Sequence, residues 1–372
     1  MIIGVLKEDP TERRVAVTPD TIAAILKLGI KKIIVEQGAG TSASYSDQAY
    51  QDAGAETVSR ADVLKNANLI ACINGITDAE IGSLSAGQML LGQFNPLSNR
   101  AILDPLNANK VTAFSLDMLP RTTRAQAMDV LSSMATAAGY KAVLTAANHL
   151  PSFFPMFMTA AGTIKPAKVL IIGAGVAGLQ AIATARRLGA VVEAFDVRTA
   201  AKEEVLSLGA KFVDVEGAAE SAAAGGYAIQ QSEEYLKKQA QAVHDHAKTA
   251  DVIICTAQIP GRQAPRIVHK ATVDEMKKGA VIVDLAASSG GNCEVTENGK
   301  TIDYKGITII GESNLPSTLP KDASFMFSKN VLNFLKLLIS KEGEVNLNLE
   351  DDIITGTCIT HEGQINSARL KK

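Results

Sequence analysis

VLIIGAGVAGLQAIATARRLGAVVEAFD, residues 169–196, decides the reading of this chain. The unbroken apolar run VLII predicts a buried strand. Gly173-Ala174-Gly175-Val176-Ala177-Gly178 follows with the spacing GxGxxG, and a breaker-free apolar stretch then reads as a helix. A second apolar run ends on Asp196, 18 residues after Gly178. Strand, glycine turn, helix, strand and acid in this order form a dinucleotide-binding fingerprint. Each part has a physical task. Gly173 allows the tight turn, Gly175 lets the backbone approach a pyrophosphate, and Gly178 lets helix and strand pack closely. The helix N-terminus offers unpaired N–H groups to phosphates. Asp196 offers acceptors to both adenosine ribose hydroxyls and would repel a 2′-phosphate, which favours NAD(H) over NADP(H). Arg198, close by, would soften that preference. The candidate cofactor residues on this unit are Gly173, Ala174, Gly175, Val176, Gly178, Asp196, Val197 and Arg198.

Working outward, AKVLIIG, VVEAFD, DVIICT, AVIVDL and ITIIG read as the strands of one α/β unit. The first third of the chain has the same rhythm. IIGVL, KKIIVEQG, NLIACI, QMLLGQF and KVTAFSL read as buried strands, with helices near 18–30, 46–53 and 59–66. Thr18 and Pro19 fit the cap and first position of one helix. Residues 121–150 have few breakers and predict one long bridging helix or two joined ones, with Thr123 and Gln126 placed as a capping box. Residues 324–340 predict a return helix. The expected fold is α/β: two Rossmann-like parallel-sheet domains joined by long helices, with NAD(H) in the interdomain cleft. The first domain would span 1–133 and 322–372, and the second 134–321. The small-residue stretch 216–228 reads as part of a flexible loop, about 216–232.

Composition narrows the function. With 372 residues and 47% hydrophobic content the chain can build two cores. A net charge of −2 gives no basic surplus for nucleic acid. Cys72, Cys255, Cys293 and Cys358 form no CxxC pair and read as reduced thiols of a cytosolic protein. His244 and His246, two apart, point to different sides of a helix, and no metal site is expected. MIIGVLKEDP lacks the apolar core of a signal peptide, and no run is long enough to span a bilayer.

A second polar cluster lies at the start of the bridging helix. Gln126, Asp129 and Ser132 are spaced three apart, one side of a helix, with Arg121 just before them. An amide, a carboxylate, a hydroxyl and a guanidinium suit a nicotinamide carboxamide and its ribose. The spacing leaves plainer roles open: Gln126 as a cap, Asp129 paired with Arg121 or Arg124, Ser132 facing solvent. What the chain lacks is also informative. Reducing a keto acid or imine with a nicotinamide needs a proton donor, usually His or Lys. The first domain has no histidine before His149, and its lysines fall at element edges. Hydride transfer between two nicotinamides needs no proton, only two rings held face to face.

The chain resembles the soluble NAD(H)-binding component of the proton-translocating nicotinamide nucleotide transhydrogenases, in the form whose alpha subunit is split. The resemblance runs through ERRVAVTPD (12–20), RTTRAQAMDVLSSMATAAGY (121–140), residues 159–190, FDVR (195–198), GGYA (225–228), TAQIPGRQAP (256–265), VIVDLAASSGGNCE (281–294) and GTCIT (356–360). It implies that Arg121, Gln126, Asp129 and Ser132 contact the nicotinamide end. It implies that the loop around Tyr227 closes over NAD(H), and that Gly226, Gln239 and Gln258 help line the nucleotide site. It further implies a homodimer, docked on an NADP(H)-binding beta subunit beside a small membrane-embedded alpha segment. The protein would then be cytoplasmic and peripheral to the inner membrane, with hydride transfer coupled to proton passage. Arg262 stands where the family usually has Lys. Alanine dehydrogenase shares the two-domain fold, and Arg14 matches its substrate arginine. Its required lysine and histidine fall where this chain has Asn74 and Asn95. A non-catalytic NAD sensor is the third alternative.

Overall fold

The computed structural model describes residues 1–217, 232–340 and 342–371. It divides into two compact units, Met1–Met134 with Pro316–Lys372, and Ala135–Leu315. Unit 1 opens with β1 (Ile2–Val5), β2 (Lys32–Glu36), β3 (Glu56–Val58), β4 (Leu69–Ala71), β5 (Met89–Gly92) and β6 (Thr112–Ser115). Unit 2 holds a hairpin, β7 (Phe157–Thr159) and β8 (Gly162–Ile164), and then β9 (Lys168–Ile172), β10 (Val191–Phe195) and β11 (Lys211–Phe212). It continues with β12 (Val252–Cys255), β13 (Val281–Asp284), β14 (Thr301–Tyr304) and β15 (Ile307–Ile310). The chain returns to unit 1 with β16 (Cys358–His361) and β17 (Gln364–Ile365).

The two sheets share one plan. Unit 1 is ordered β17-β16-β6-β5-β4-β1-β2-β3, and unit 2 β11-β10-β9-β12-β13-β15-β14. In each, the first long strand lies centrally and the order reverses beside it, between β1 and β4 and between β9 and β12. The central strands are parallel, while β14, β16 and β17 pair antiparallel at the edges. Their residues explain this. IIGV, LIA, VIIC and VIVD are buried almost throughout, and a sheet covered on both faces needs continuous rather than alternating apolar runs.

Helices close the layers. The helix Pro19–Leu26 begins on proline at its first turn, but the Thr18 hydroxyl makes no capping bond. The return helix starts earlier than its apolar spacing indicated, at Pro320, and runs to Leu338. It buries Phe327, Val331, Phe334 and Leu335 in unit 1, with Phe334 against Phe114 at 5.5 Å between ring centroids. Ser324 and Ser328 on it accept the Val15 and Thr18 N–H groups at 2.9 and 3.0 Å. These bonds hold the ERRVAVTP segment in place.

One expectation is corrected. Of the two readings of residues 121–150, the two joined segments form, and it is the capping box that fails. Thr123–Met128 winds as a tight 3₁₀ segment, and the α-helix runs Val130–His149. Thr122, extended, precedes the tight segment and makes no side-chain cap bond, so no Thr123–Gln126 capping box forms.

Candidate dinucleotide site

At the end of β9 the chain turns at Gly173, with φ +94°. Its N–H donates to Phe195 O at 2.8 Å, closing the turn against the end of β10. A Cβ at Gly173 would stand 2.8 Å from Thr256 Oγ1, and one at Gly178 would stand 1.9 Å from the Gly173 oxygen. Neither position admits a side chain. At Gly175 nothing lies within 4 Å of where a Cβ would project. Gly175 caps the helix Val176–Arg187 without a side-chain bond, so no capping side chain covers its first N–H groups. Two glycines are therefore needed by the fold, and the third leaves room for a ligand.

Thr256 and Asn292 complete this edge, and sequence reasoning assigned neither. Thr256 Oγ1 donates to Gly173 O at 2.8 Å. Asn292 accepts the Ala257 N–H at 2.9 Å and returns a bond to Ala257 O at 2.8 Å. The available signal was position: Thr256 follows β12 directly, on the far side of the strand-order reversal. Gln258 is tied to the same edge through Ser289 Oγ at 3.0 Å. Gln239 is buried on the helix Glu233–Ala247, on the face that also buries Tyr235 and Val243. Burial, and secondly the Asp196 charge, push the Tyr235 phenol up. Val197 packs against the unit 2 core. Gly226, Tyr227 and nearly all of the loop 216–232 lie outside the described residues.

Among the described residues, Asp196 accepts four hydrogen bonds. Oδ1 accepts the Arg198 N–H at 2.8 Å and Arg198 Nε at 2.9 Å. Oδ2 accepts the Ala174 N–H at 2.7 Å and Arg198 Nη2 at 2.9 Å. The acid thus clamps the glycine turn, and Arg198 grips it as a fork.

In unit 1, Asp129 and Ser132 meet, but not as neighbours on a helical face. Asp129 is extended, with ψ +92°, and precedes the helix Val130–His149. Its Oδ1 accepts the Ser132 N–H at 2.9 Å and its Oδ2 accepts Ser132 Oγ–H at 2.6 Å. That is an N-cap with a third-position hydroxyl. Gln126 and Arg121 are exposed. Arg124 does not pair with Asp129; it forks onto Asp351 and Asp352.

The reversal point of the unit 1 sheet is filled differently. Arg14 Nε and Nη2 fork onto Glu12 at 2.7 and 2.6 Å, with both residues 5% exposed. Burial pushes Glu12 up, but the Arg14 fork outweighs it and holds the carboxyl low. Asn74 Nδ2 donates to Glu12 at 3.1 Å. Glu8 accepts the Ile73 N–H at 2.6 Å and the Asn74 N–H at 3.1 Å, tying the chain after β1 to the end of β4. Burial pushes its carboxyl up to about 7 against those two bonds. A reading that looks only for His or Lys passes over Glu8. Asn95 is exposed, with φ +50°. The four cysteines are buried free thiols. Among the described residues, no three His, Cys, Asp or Glu side chains gather as a metal site.

These features define a two-unit α/β protein with a dinucleotide turn in its second unit. Family models agree along the chain: residues 4–138 match "Alanine dehydrogenase/PNT, N-terminal domain", and 142–368 match "Alanine dehydrogenase/PNT, C-terminal domain". The chain belongs to this alanine dehydrogenase/PNT family, one of NAD(H)-dependent dehydrogenases. It is 45% identical to the first part of the NAD(P) transhydrogenase alpha subunit of Rhodospirillum rubrum, covering 98% of this chain and 97% of that protein. It is 27% identical to alanine dehydrogenase of Mycolicibacterium smegmatis, covering 100% and 96%. The crystal structure of transhydrogenase from Sinorhizobium meliloti superposes with a TM-score of 0.90 at 42% identity, covering 98% and 100%.

Proposed function

We propose that this chain is the NAD(H)-binding catalytic component of a proton-translocating transhydrogenase. It delivers a hydride from NADH to NADP⁺ held on a partner subunit. The observation that carries this reading is the end-to-end similarity to the first part of a transhydrogenase alpha subunit, in a chain that keeps both the glycine turn and the 121–132 cluster. The pyrophosphate lies at the open Gly175 side of the helix N-terminus, where N–H groups and helix dipole meet its charge. Ala174, Val176, Val197, Gln239 and Gln258 line the nucleotide, and Gly226 and Tyr227 close over it.

Arg121, Gln126, Asp129 and Ser132 hold the nicotinamide end. The Asp129–Ser132 cap supports this role, because it fixes a carboxylate and a hydroxyl at one helix start without spending a flexible side chain. Their task is to position the ring and exclude water. Asp129→Asn keeps a capping residue. It and Arg121→Ala are expected to slow hydride transfer far more than they weaken NADH binding; equal losses would remove the assignment.

The partners follow from the same reading: an NADP(H)-binding beta subunit and a small membrane-embedded alpha segment. They place this chain peripherally at the cytoplasmic face of the inner membrane. No helix among the described residues is long and apolar enough to cross a membrane. A homodimer is supported by the hairpin β7–β8. Phe153, Met156, Phe157, Met158 and Ile164 are all exposed there, a concentration of apolar surface that suits a second copy.

The test mixes the purified chain with NADH, an NADP⁺ analogue of shifted absorbance, and the separately purified NADP(H)-binding subunit of a relative. Fast analogue reduction that needs both proteins is expected. No reduction while NADH binds would overturn the reading and move attention to pyruvate with ammonia.

A further inference from the structure

The fingerprint acid of unit 2 has no acceptor to spare. A carboxylate offers about four lone-pair positions. Asp196 fills them with two backbone N–H groups, from Ala174 and Arg198, and with Nε and Nη2 of the Arg198 guanidinium. A ribose diol brought to this acid must displace donors. The Ala174 N–H belongs to the glycine turn, and the Arg198 N–H is fixed two residues along the same strand end. The guanidinium rides on a rotatable side chain that is 31% exposed. It is the side-chain donor of the set, and its departure from Asp196 breaks no backbone hydrogen bond.

We propose that Arg198 is a specificity-determining residue of the dinucleotide site. Its guanidinium occupies the ribose-binding lone pairs of Asp196 and is exchanged for the 2′,3′-diol of the adenosine ribose when the dinucleotide binds. This rests on the NAD(H) reading above and deepens it.

Two consequences follow from charge. First, NADH binding carries the loss of a charge-assisted fork, so the site is weaker for NADH than the bare acid would make it. Second, a guanidinium within hydrogen-bond length of Asp196 cancels the repulsion the acid would exert on a 2′-phosphate. Once displaced it stays on the same loop, and a planar fork is well suited to phosphate. Arg198 therefore lowers the preference for NADH over NADPH from both sides, while Asp196 sets its sign.

The test measures NADH and NADPH affinities of the whole chain by nucleotide fluorescence for the unmodified protein, Arg198→Ala and Arg198→Lys. Thermal unfolding confirms that each variant is folded. Removing a partly exposed fork is expected to tighten NADH by about three- to tenfold in Arg198→Ala. NADPH affinity is expected to fall by about tenfold, as a charge-assisted phosphate contact is lost. Arg198→Lys keeps a charge for the phosphate but cannot fork, so it should tighten NADH while retaining more NADPH affinity than the alanine variant. Weaker NADH binding in a folded Arg198→Ala would overturn the exchange and make the guanidinium a direct ligand. Unchanged affinities for both nucleotides in both variants would overturn it as well. Failure of the underlying reading looks different: the unmodified chain would then bind neither nucleotide.

Discussion

The two sheets reverse their strand order in the same way, yet the two reversal points are built for different ends. In unit 2 the crevice beside β9 is floored by glycines, adjoins a helix N-terminus without a side-chain cap, and is open at Gly175. In unit 1 the crevice beside β1 is filled by the Arg14–Glu12 fork, Asn74 and Glu8. The crevice at such a point is where open α/β sheets take ligands. Topology offers that place twice here, and the residues after the first strand decide what becomes of each. A glycine turn leaves backbone donors and space, whereas a buried ion pair supplies its own counter-charges and closes the polar balance internally.

The comparison can be broken most forcefully at the ion pair. Glu12→Ala leaves a buried guanidinium without its carboxylate, and unit 1 is expected to lose about 3–5 kcal/mol in denaturant unfolding. NADH affinity of the folded variant should not change. A large loss of NADH affinity would show that the unit 1 crevice also serves the nucleotide. Gly178→Ala drives a Cβ into the Gly173 carbonyl, at 1.9 Å before any adjustment. It should destabilise unit 2 by about 3 kcal/mol and abolish NADH binding, since turn and helix must part. Tight NADH binding by that variant would contradict the site.

Glu8 gives the comparison a pH signature. Burial raises its carboxyl from 4.5 to about 7, so the folded chain binds the proton that the unfolded chain has released. Stability from this group is complete below about pH 4.5 and is lost as pH rises to about 7, by about 3 kcal/mol in all. Glu8→Gln should flatten that fall in an unfolding series across pH; an unaltered slope would remove Glu8 as its cause. The smallest expected effect is the sharpest in meaning. Gly175→Ala meets no atom within 4 Å, so folding should be unaffected. NADH affinity should drop about tenfold, because the methyl group stands where the pyrophosphate approaches. Unchanged affinity would place the phosphates elsewhere.

Most of the parallel core was legible because its strands are bare apolar runs between breakers. The edges were not. Glu56–Val58, Lys211–Phe212, Thr301–Tyr304 and Cys358–His361 are short, and the first three have no fully buried residue, so burial shapes their composition little. The glycine turn was read directly, since Gly173 and Gly178 answer steric demands of the fold. The helical-face reading of Gln126, Asp129 and Ser132 is replaced by a different local geometry. The three-residue step from Asp129 to Ser132 is the spacing of an N-cap and its partner as well as of a helical face, and the cap is what forms. Ala, Gln and Met in 123–128 are helix formers, but a helix that starts on an Asp129 cap leaves them in a tight 3₁₀ turn. Asp196 follows the end of β10, as the sequence indicated, whereas its bonds to Arg198 depend on a rotamer that no spacing records.

On the proposed function, hydride passes directly from NADH on this chain to NADP⁺ on its partner. The most direct measurement supplies NADH labelled with tritium on the transferring face of the nicotinamide C4, together with the NADP⁺ analogue and the NADP(H)-binding subunit. After one turnover the label should sit on the reduced analogue, with none released to water, and only when both proteins are present. Label in the solvent, or analogue reduced without label, would contradict the account.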